Sequence, residues 1–119
     1  MSEAAQQFYA VIQGIPEGRL CSYGDIAKLA GLPGQARRVG KLLSQTPSDT
    51  KLPWFRVINA QGKISFPVGS DGYQRQLDAL IQEGSADISG KVYWRQRRWP
   101  DEGSRKSEVG SRKSEVGSR

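Results

Sequence analysis

Phe8, Val11, Ile12 and Ile15 recur at i, i+3, i+4 and i+7 among polar neighbours, and that spacing predicts an amphipathic helix over residues 3–14. Pro16-Glu17-Gly18 ends it, and residues 19–22 read as a short extended stretch. Ser22 with Asp25 three positions later predicts a capping box, the aspartate standing in for the usual Glu or Gln. A second helix over 23–30 then buries Ile26, Ala27, Leu29 and Ala30 and ends on Gly31. After Leu32-Pro33 a third helix over 34–45 carries Val39, Leu42 and Leu43 on one side, with Arg37, Arg38 and Lys41 around the other. Two short helices joined by a tight glycine-containing turn predict a helix-turn-helix.

Beyond the polar stretch 46–51, Val57-Ile58, the turn Asn59-Ala60-Gln61-Gly62 and Lys63-Ile64 predict a small hairpin, a candidate wing. Residues 66–72 form a glycine-rich loop. Tyr73, Leu77, Leu80 and Ile81 place a last helix over 71–83, and Val92-Tyr93-Trp94 reads as a final strand before the basic, aromatic run 95–99. The expected fold is therefore α-rich α+β: a winged-helix-like helix-turn-helix domain with a small β-hairpin, spanning residues 1–102. From Gly103 the unit GSRKSEV repeats, with valine its one sizeable apolar residue, and 103–119 reads as a disordered tail appended by cloning.

The chain has 119 residues, enough for one domain. Its formal charge is +6, but the tail carries five basic and two acidic residues, which leaves +3 on residues 1–102. No apolar run approaches the roughly 18 to 20 residues a bilayer span needs. The first residues lack the basic start and apolar block of a secretory signal. One cysteine, Cys21, cannot pair internally, which suits a reducing compartment: cytoplasmic, and nucleoid-associated if bacterial. Histidine is absent altogether, which excludes a His-ligated metal, a Ser-His-Asp triad and a Cys-His nucleophile pair. The balance favours binding over catalysis, with no cofactor or metal expected and nothing that calls for a dimer.

Three segments in register carry a resemblance. Ser22-Tyr23-Gly24-Asp25-Ile26-Ala27, then Gly34-Gln35-Ala36-Arg37-Arg38-Val39-Gly40, then Pro53-Trp54-Phe55-Arg56-Val57-Ile58 are similar to the C-terminal domain of the O6-alkylguanine-DNA alkyltransferases over residues 8–83. Those enzymes carry Pro-Cys-His-Arg-Val, where the cysteine takes the alkyl group and the histidine helps make it a thiolate. Here Trp54 and Phe55 occupy those positions. An indole nitrogen whose lone pair is delocalised into its ring is no substitute for a thiolate. Glu83, near the position of the third relay member, is left with nothing to orient. Tryptophan at the cysteine position resembles the alkyltransferase-like proteins, and membership of that group implies binding of O6-alkylguanine in double-stranded DNA without repair, followed by hand-over to nucleotide excision repair proteins.

The resemblance also implies roles. Trp54 becomes a wall on which an extruded base stacks, a contact worth about 1–3 kcal/mol per base against a flipping cost of a few kcal/mol. Arg37 matches the arginine that fills the vacated stack, and Tyr23 matches the tyrosine that pushes on the 3′ phosphate. Gly34, Gln35 and Ala36 are small enough to let the third helix enter a minor groove about 6 Å wide, with the Gly34 amide free for a phosphate. Arg38 and Lys41 read as phosphate contacts or plain surface charge. The carbonyls of Trp54 and Val57 match acceptors for the guanine amino group, and Phe66, Pro67 and Val68 match the loop over the alkyl side of the pocket. Thr46 stands where the enzymes have an asparagine hinge, Arg56 reads as structural, and Cys21 as a small buried hydrophobe. Two alternatives stay open: an active transferase using Cys21, and a winged-helix regulator that reads sequence in the major groove.

Overall fold

Serine side chains start most of the helices. In the computed structural model, which describes residues 2–47 and 49–100, Ser2 opens α1 (Glu3–Gln13) by accepting from the Ala5 amide at 3.1 Å. Ser22 opens α2 (Tyr23–Leu29) by accepting from the Asp25 amide at 3.1 Å, and Ser70 opens α4 (Asp71–Gln82) by accepting from the Tyr73 amide at 3.2 Å. Each satisfies an amide that the first helical turn leaves without a partner, worth about 1 kcal/mol. The reciprocal half of the predicted capping box does not form, because the Asp25 carboxylate accepts from Arg98 at 3.2 Å. α3 (Ala36–Ser44) is different: Gln35 precedes it and supplies no side-chain cap. The GSRKSEV repeat at 103–119 lies outside the described residues.

Gly31 at φ +81° lets the chain reverse after α2, so that the Leu32 amide donates to the Ala27 carbonyl at 2.8 Å. α2 and α3 thus form the predicted helix-turn-helix, packed on α1 through Phe8, Ile12, Ile26, Ala27 and Val39. Leu29 was expected in this core but is 42% exposed, because it falls off the stripe formed by Ile26, Ala27 and Ala30.

The strand arrangement differs from the expected hairpin. β1 (Cys21–Ser22) pairs in parallel with β2 (Val57–Ile58), Cys21 opposite Val57 and Ser22 opposite Ile58. Residues 59–63 do turn back, the Asn59 amide donating to the Lys63 carbonyl at 2.9 Å. The Asn59 side chain, however, accepts from the Gln61 and Lys63 amides, both at 3.0 Å, and so closes the turn locally instead of opening a ladder. Val57 and Ile58 are buried on opposite faces, the signature of an interior parallel strand. Alternation along this pair divides the core: Cys21 and Val57 face the α1–α3 cluster, whereas Leu20 and Ile58 join Ile64, Leu77, Leu80 and Ala86 under α4.

Residues 92–94 are not a strand either. Val92 makes one bridge to Ala86, and Trp94–Arg97 is a short helix, α5. The chain then returns beside β1: the Leu20 amide donates to the Arg97 carbonyl and the Trp99 amide to the Leu20 carbonyl, each at 2.8 Å. Trp99 packs on the first cluster and Trp94 on the second, so the basic aromatic run anchors the C-terminal segment.

Candidate functional site

Trp54 opens a single 3₁₀ turn (Trp54–Arg56) that leads without a loop into β2. It stands at the rim of a mostly apolar cavity of about 370 Å³. Tyr23, the first residue of α2, forms another wall, Gly40 and Leu43 of α3 a third, and Phe66 and Pro67 the lid side. Trp54 meets Phe66 edge-on, with ring centroids 6.2 Å apart, and meets Phe55 edge-on at 6.0 Å. Of the residues assigned from the sequence, the fold therefore brings Tyr23, Trp54, Val57 and Phe66 to one cavity.

Val68 does not join them. It is 85% exposed and borders a separate cleft of about 520 Å³ with Lys63, Tyr73, Lys91, Trp94 and Arg95. The loop 64–68 runs between the two hollows: its ends, Ile64 and Val68, border the larger cleft, and its middle, Ser65, Phe66 and Pro67, borders the Trp54 cavity.

Gln76 was not foreseen. Its side chain is 2% exposed at the back of the Trp54 cavity, and Nε2 donates to the carbonyls of Phe55 at 3.0 Å and Val57 at 2.9 Å. The Val57 amide in turn donates to the Trp54 carbonyl. Both carbonyls implied as guanine acceptors thus already take one hydrogen bond from the protein. A carbonyl oxygen has two lone pairs, so each retains one for a ligand, and its direction is fixed by the first.

Glu83 is not idle, as had been expected from the sequence. Its carboxylate accepts from Arg56 Nε at 3.0 and 3.2 Å, from an Arg56 terminal nitrogen, and from the Gly18 amide at 3.0 Å. Arg56 also donates to the Ile15 carbonyl at 2.9 Å and lies 5.3 Å from the Phe55 ring centroid. With side chains only 15% and 10% exposed, Arg56 and Glu83 clamp the Trp54 turn to the end of α4 and to the α1–β1 connection. Arg56 is structural, as the sequence implied.

Along the helix-turn-helix, Gly34 precedes α3 by two residues in a turn at φ +85°, outside the helix in which it was predicted. Since Gln35 caps nothing with its side chain, the opening turn of α3 presents amides and the positive end of the helix dipole to an anion. Arg37 is exposed on that turn. Arg38 is exposed too, but it borders a shallow cleft with Lys41 against Ala5 and Phe8 of α1, away from the Trp54 cavity. Thr46 donates to the Leu42 carbonyl at 3.0 Å and closes the end of α3, a turn-forming role that its hydroxyl permits.

Cys21 is fully buried, and burial first, then the Asp25 carboxylate, push its thiol up to about 12. Such a thiol is protonated at neutral pH and shielded from reagents. Because the folded value lies above the ordinary thiol value of 9.0, the protonated fold is favoured below pH 9 and loses stability as pH rises toward 12. The slope of unfolding free energy against pH in that window will be shallower in Cys21→Ala by about 1.4 kcal/mol per pH unit, measurable by urea titration at several pH values. Iodoacetamide will label the thiol only after unfolding. Among the described residues no group of three or more His, Cys, Asp or Glu side chains gathers into a metal site.

The match of residues 3–85 is to the family described as 6-O-methylguanine DNA methyltransferase, DNA binding domain. A DNA base-flipping protein of Vibrio parahaemolyticus is 50% identical over 101 residues, covering 83% of this chain and 98% of that protein. Alkyltransferase-like protein 1 of Schizosaccharomyces pombe is 42% identical over 84 residues, 71% of this chain and 78% of that protein. The crystal structure of S. pombe Atl1 in complex with damaged DNA containing O6-carboxymethylguanine superposes with a TM-score of 0.73 at 36% identity, covering 83% of this chain and 96% of that one. With a helix-turn-helix, an uncapped α3 and an aromatic cavity behind it, the chain belongs to the family of the 6-O-methylguanine DNA methyltransferase DNA-binding domain.

Proposed function

We propose that this protein recognises O6-alkylguanine in duplex DNA, flips the modified nucleotide into the Trp54 cavity and holds it without transferring the alkyl group. One observation carries the reading: an aromatic side chain that cannot act as a nucleophile stands at the rim of a base-sized apolar hollow directly behind the helix-turn-helix. α3 enters the minor groove, its uncapped first turn meets a phosphate, and exposed Arg37 fills the gap in the base stack. Tyr23 steadies the extruded nucleotide's phosphate. The names of the relatives support a flipping and alkyltransferase-like role rather than a catalytic one. The buried, protonated state of Cys21 argues against the rival transferase.

In this reading the protein acts as a monomer on chromosomal DNA, and the bound lesion is passed to excision-repair damage sensors. Titration of matched duplexes with and without one O6-methylguanine tests recognition, with mass spectrometry of both partners afterwards. Tighter binding of the modified duplex with the adduct still on DNA is expected. A sequence preference that ignores the adduct would instead favour the regulator, and label on Cys21 the transferase.

The cavity wall offers a further check. Gly72 leaves space for the Phe66 ring, since a Cβ there would lie 2.7 Å from two of its carbons. Gly72→Ala will push this exposed ring aside and weaken lesion binding about three- to tenfold, the value of one aromatic edge contact. Thermal stability will barely move, because alanine's helix preference of about 1 kcal/mol offsets the lost contact.

A further inference from the structure

The cleft of about 520 Å³ beyond the loop 64–68 is built apart from the Trp54 cavity. The two share no lining residue, and no lining residue of the cleft belongs to α1, α2 or α3. Buried Ile64 with half-buried Val92 and Trp94 give the cleft an apolar floor. Lys63, Lys91 and Arg95 border it, and no acidic residue does. All three cations are exposed, and among the described residues none of them is in an ion pair. Asp87, in the turn before Lys91, directs its carboxylate to the Ser89 and Lys91 amides, 2.9 and 3.1 Å away. The rim is therefore positive.

Apolar exposure points to the same place. Among the described residues the two most exposed large hydrophobic side chains are Ile88, at 89%, and Val68, at 85%, and no other exceeds 42%. Val68 lines the cleft. Ile88 lies in the turn 87–91 that presents Gly90 and Lys91 to it, closed where the Asp87 amide donates to the Lys91 carbonyl at 2.9 Å. Bare aliphatic side chains gathered at one cleft mark a surface that a partner covers, and the unpaired cations around them set the sign of that partner's charge.

We propose that this cleft docks an acidic segment of another protein, one with aliphatic or aromatic side chains set among its carboxylates. The apolar side chains cover Val68 and Ile88 and reach the floor, while the carboxylates meet Lys63, Lys91 and Arg95 around it. Nucleic acid fits less well. A duplex offers phosphates but keeps its bases stacked, which leaves the floor uncovered. A single strand needs a ring to stack on, whereas the Arg98 guanidinium already stands over Trp94, 4.8 Å from its centroid, and the Gly62 backbone packs against that ring. A second copy of this chain, formally +6, brings mostly like charge. The docking site stands independently of the flipping reading.

The test uses the full chain and a short fluorescein-labelled peptide in which aspartate–glutamate pairs alternate with leucine and phenylalanine, titrated by fluorescence anisotropy. Saturable binding is expected, weakened about tenfold by the combined changes Lys63→Gln, Lys91→Gln and Arg95→Gln. Val68→Ser with Ile88→Ser, or serine in place of the peptide's apolar residues, will also weaken it about tenfold. All these positions are exposed, so the melting temperature and the preference for an O6-methylguanine duplex will hold. No binding of the peptide, equal binding of its serine version, or full affinity in the triple variant would each overturn the proposal. If the triple variant instead weakened an undamaged duplex and an oligothymidylate while sparing the peptide, the cleft would be a nucleic-acid groove. A dimer in sedimentation velocity that the triple variant abolished would assign it to a second copy. Failure of the flipping reading looks different: methylguanine and guanine duplexes would bind alike, with the peptide result untouched.

Discussion

Trp54→Ala will reduce the preference for an O6-methylguanine duplex over its undamaged match by roughly 10- to 100-fold, the equivalent of one lost base–aromatic stack. Flipping costs a few kcal/mol and costs least where pairing is already weakened. In the proposed mechanism stacking on Trp54 is of the same size, so the indole is expected to separate a lesion that stays out from a normal guanine that returns. The fold will survive the change, since Trp54 belongs to neither buried cluster and is replaced at a cavity rim. Trp54→Phe, with a smaller π surface, will fall between. Affinity for undamaged DNA will change little in either variant, because the proposed α3 contacts do not involve the indole. If lesion preference persisted in Trp54→Ala with its melting temperature unchanged, stacking would not be the basis of recognition.

Glu83→Ala will cost about 3 kcal/mol of stability, or a drop of roughly 12–20 °C in melting temperature for a domain of this size. The change strands the Arg56 guanidinium in a setting only 15% exposed and removes the acceptor of the Gly18 amide. Lesion binding will fall with it, because the clamp fixes the turn that presents Trp54. Glu83→Gln keeps an acceptor and will lose about half as much. The double change Arg56→Met, Glu83→Leu separates stranded charge from lost packing: with no ion left unpaired, it will be more stable than Glu83→Ala alone. Equal losses would mean that the pair matters for its volume and not its charge.

The helices were legible because each buries a stripe at helical spacing and most begin with a serine that caps them. The helix-turn-helix followed from Gly31 and from the short reach between α2 and α3. The strand pairing was not legible: Cys21 and Val57 are distant in sequence, and two-residue strands leave no alternating pattern, so the nearer hairpin looked preferable. Val92-Tyr93-Trp94 has the composition of a strand, yet Trp94 must cover Gly62, where a Cβ would lie 2.8 Å from the ring, and the chain bends into α5 to do so. At the site, the motif residues were readable as a set, whereas Gln76 looked like any polar helix position. Only its burial and its two carbonyl partners single it out. Glu83 was misread for a similar reason: its partner Arg56 is close in space and remote along the chain, and no local spacing betrays the pair.

The short parallel ladder has a kinetic corollary. β1 runs straight into Tyr23 and β2 straight out of the Trp54 turn, so the two walls of the cavity are riveted at opposite ends of the same pair of strands. A receptacle held that way does not have to clamp shut around its guest. In the proposed mechanism the slow step is then the nucleotide's departure from the stack, and bases that open more readily will be captured sooner as well as held longer.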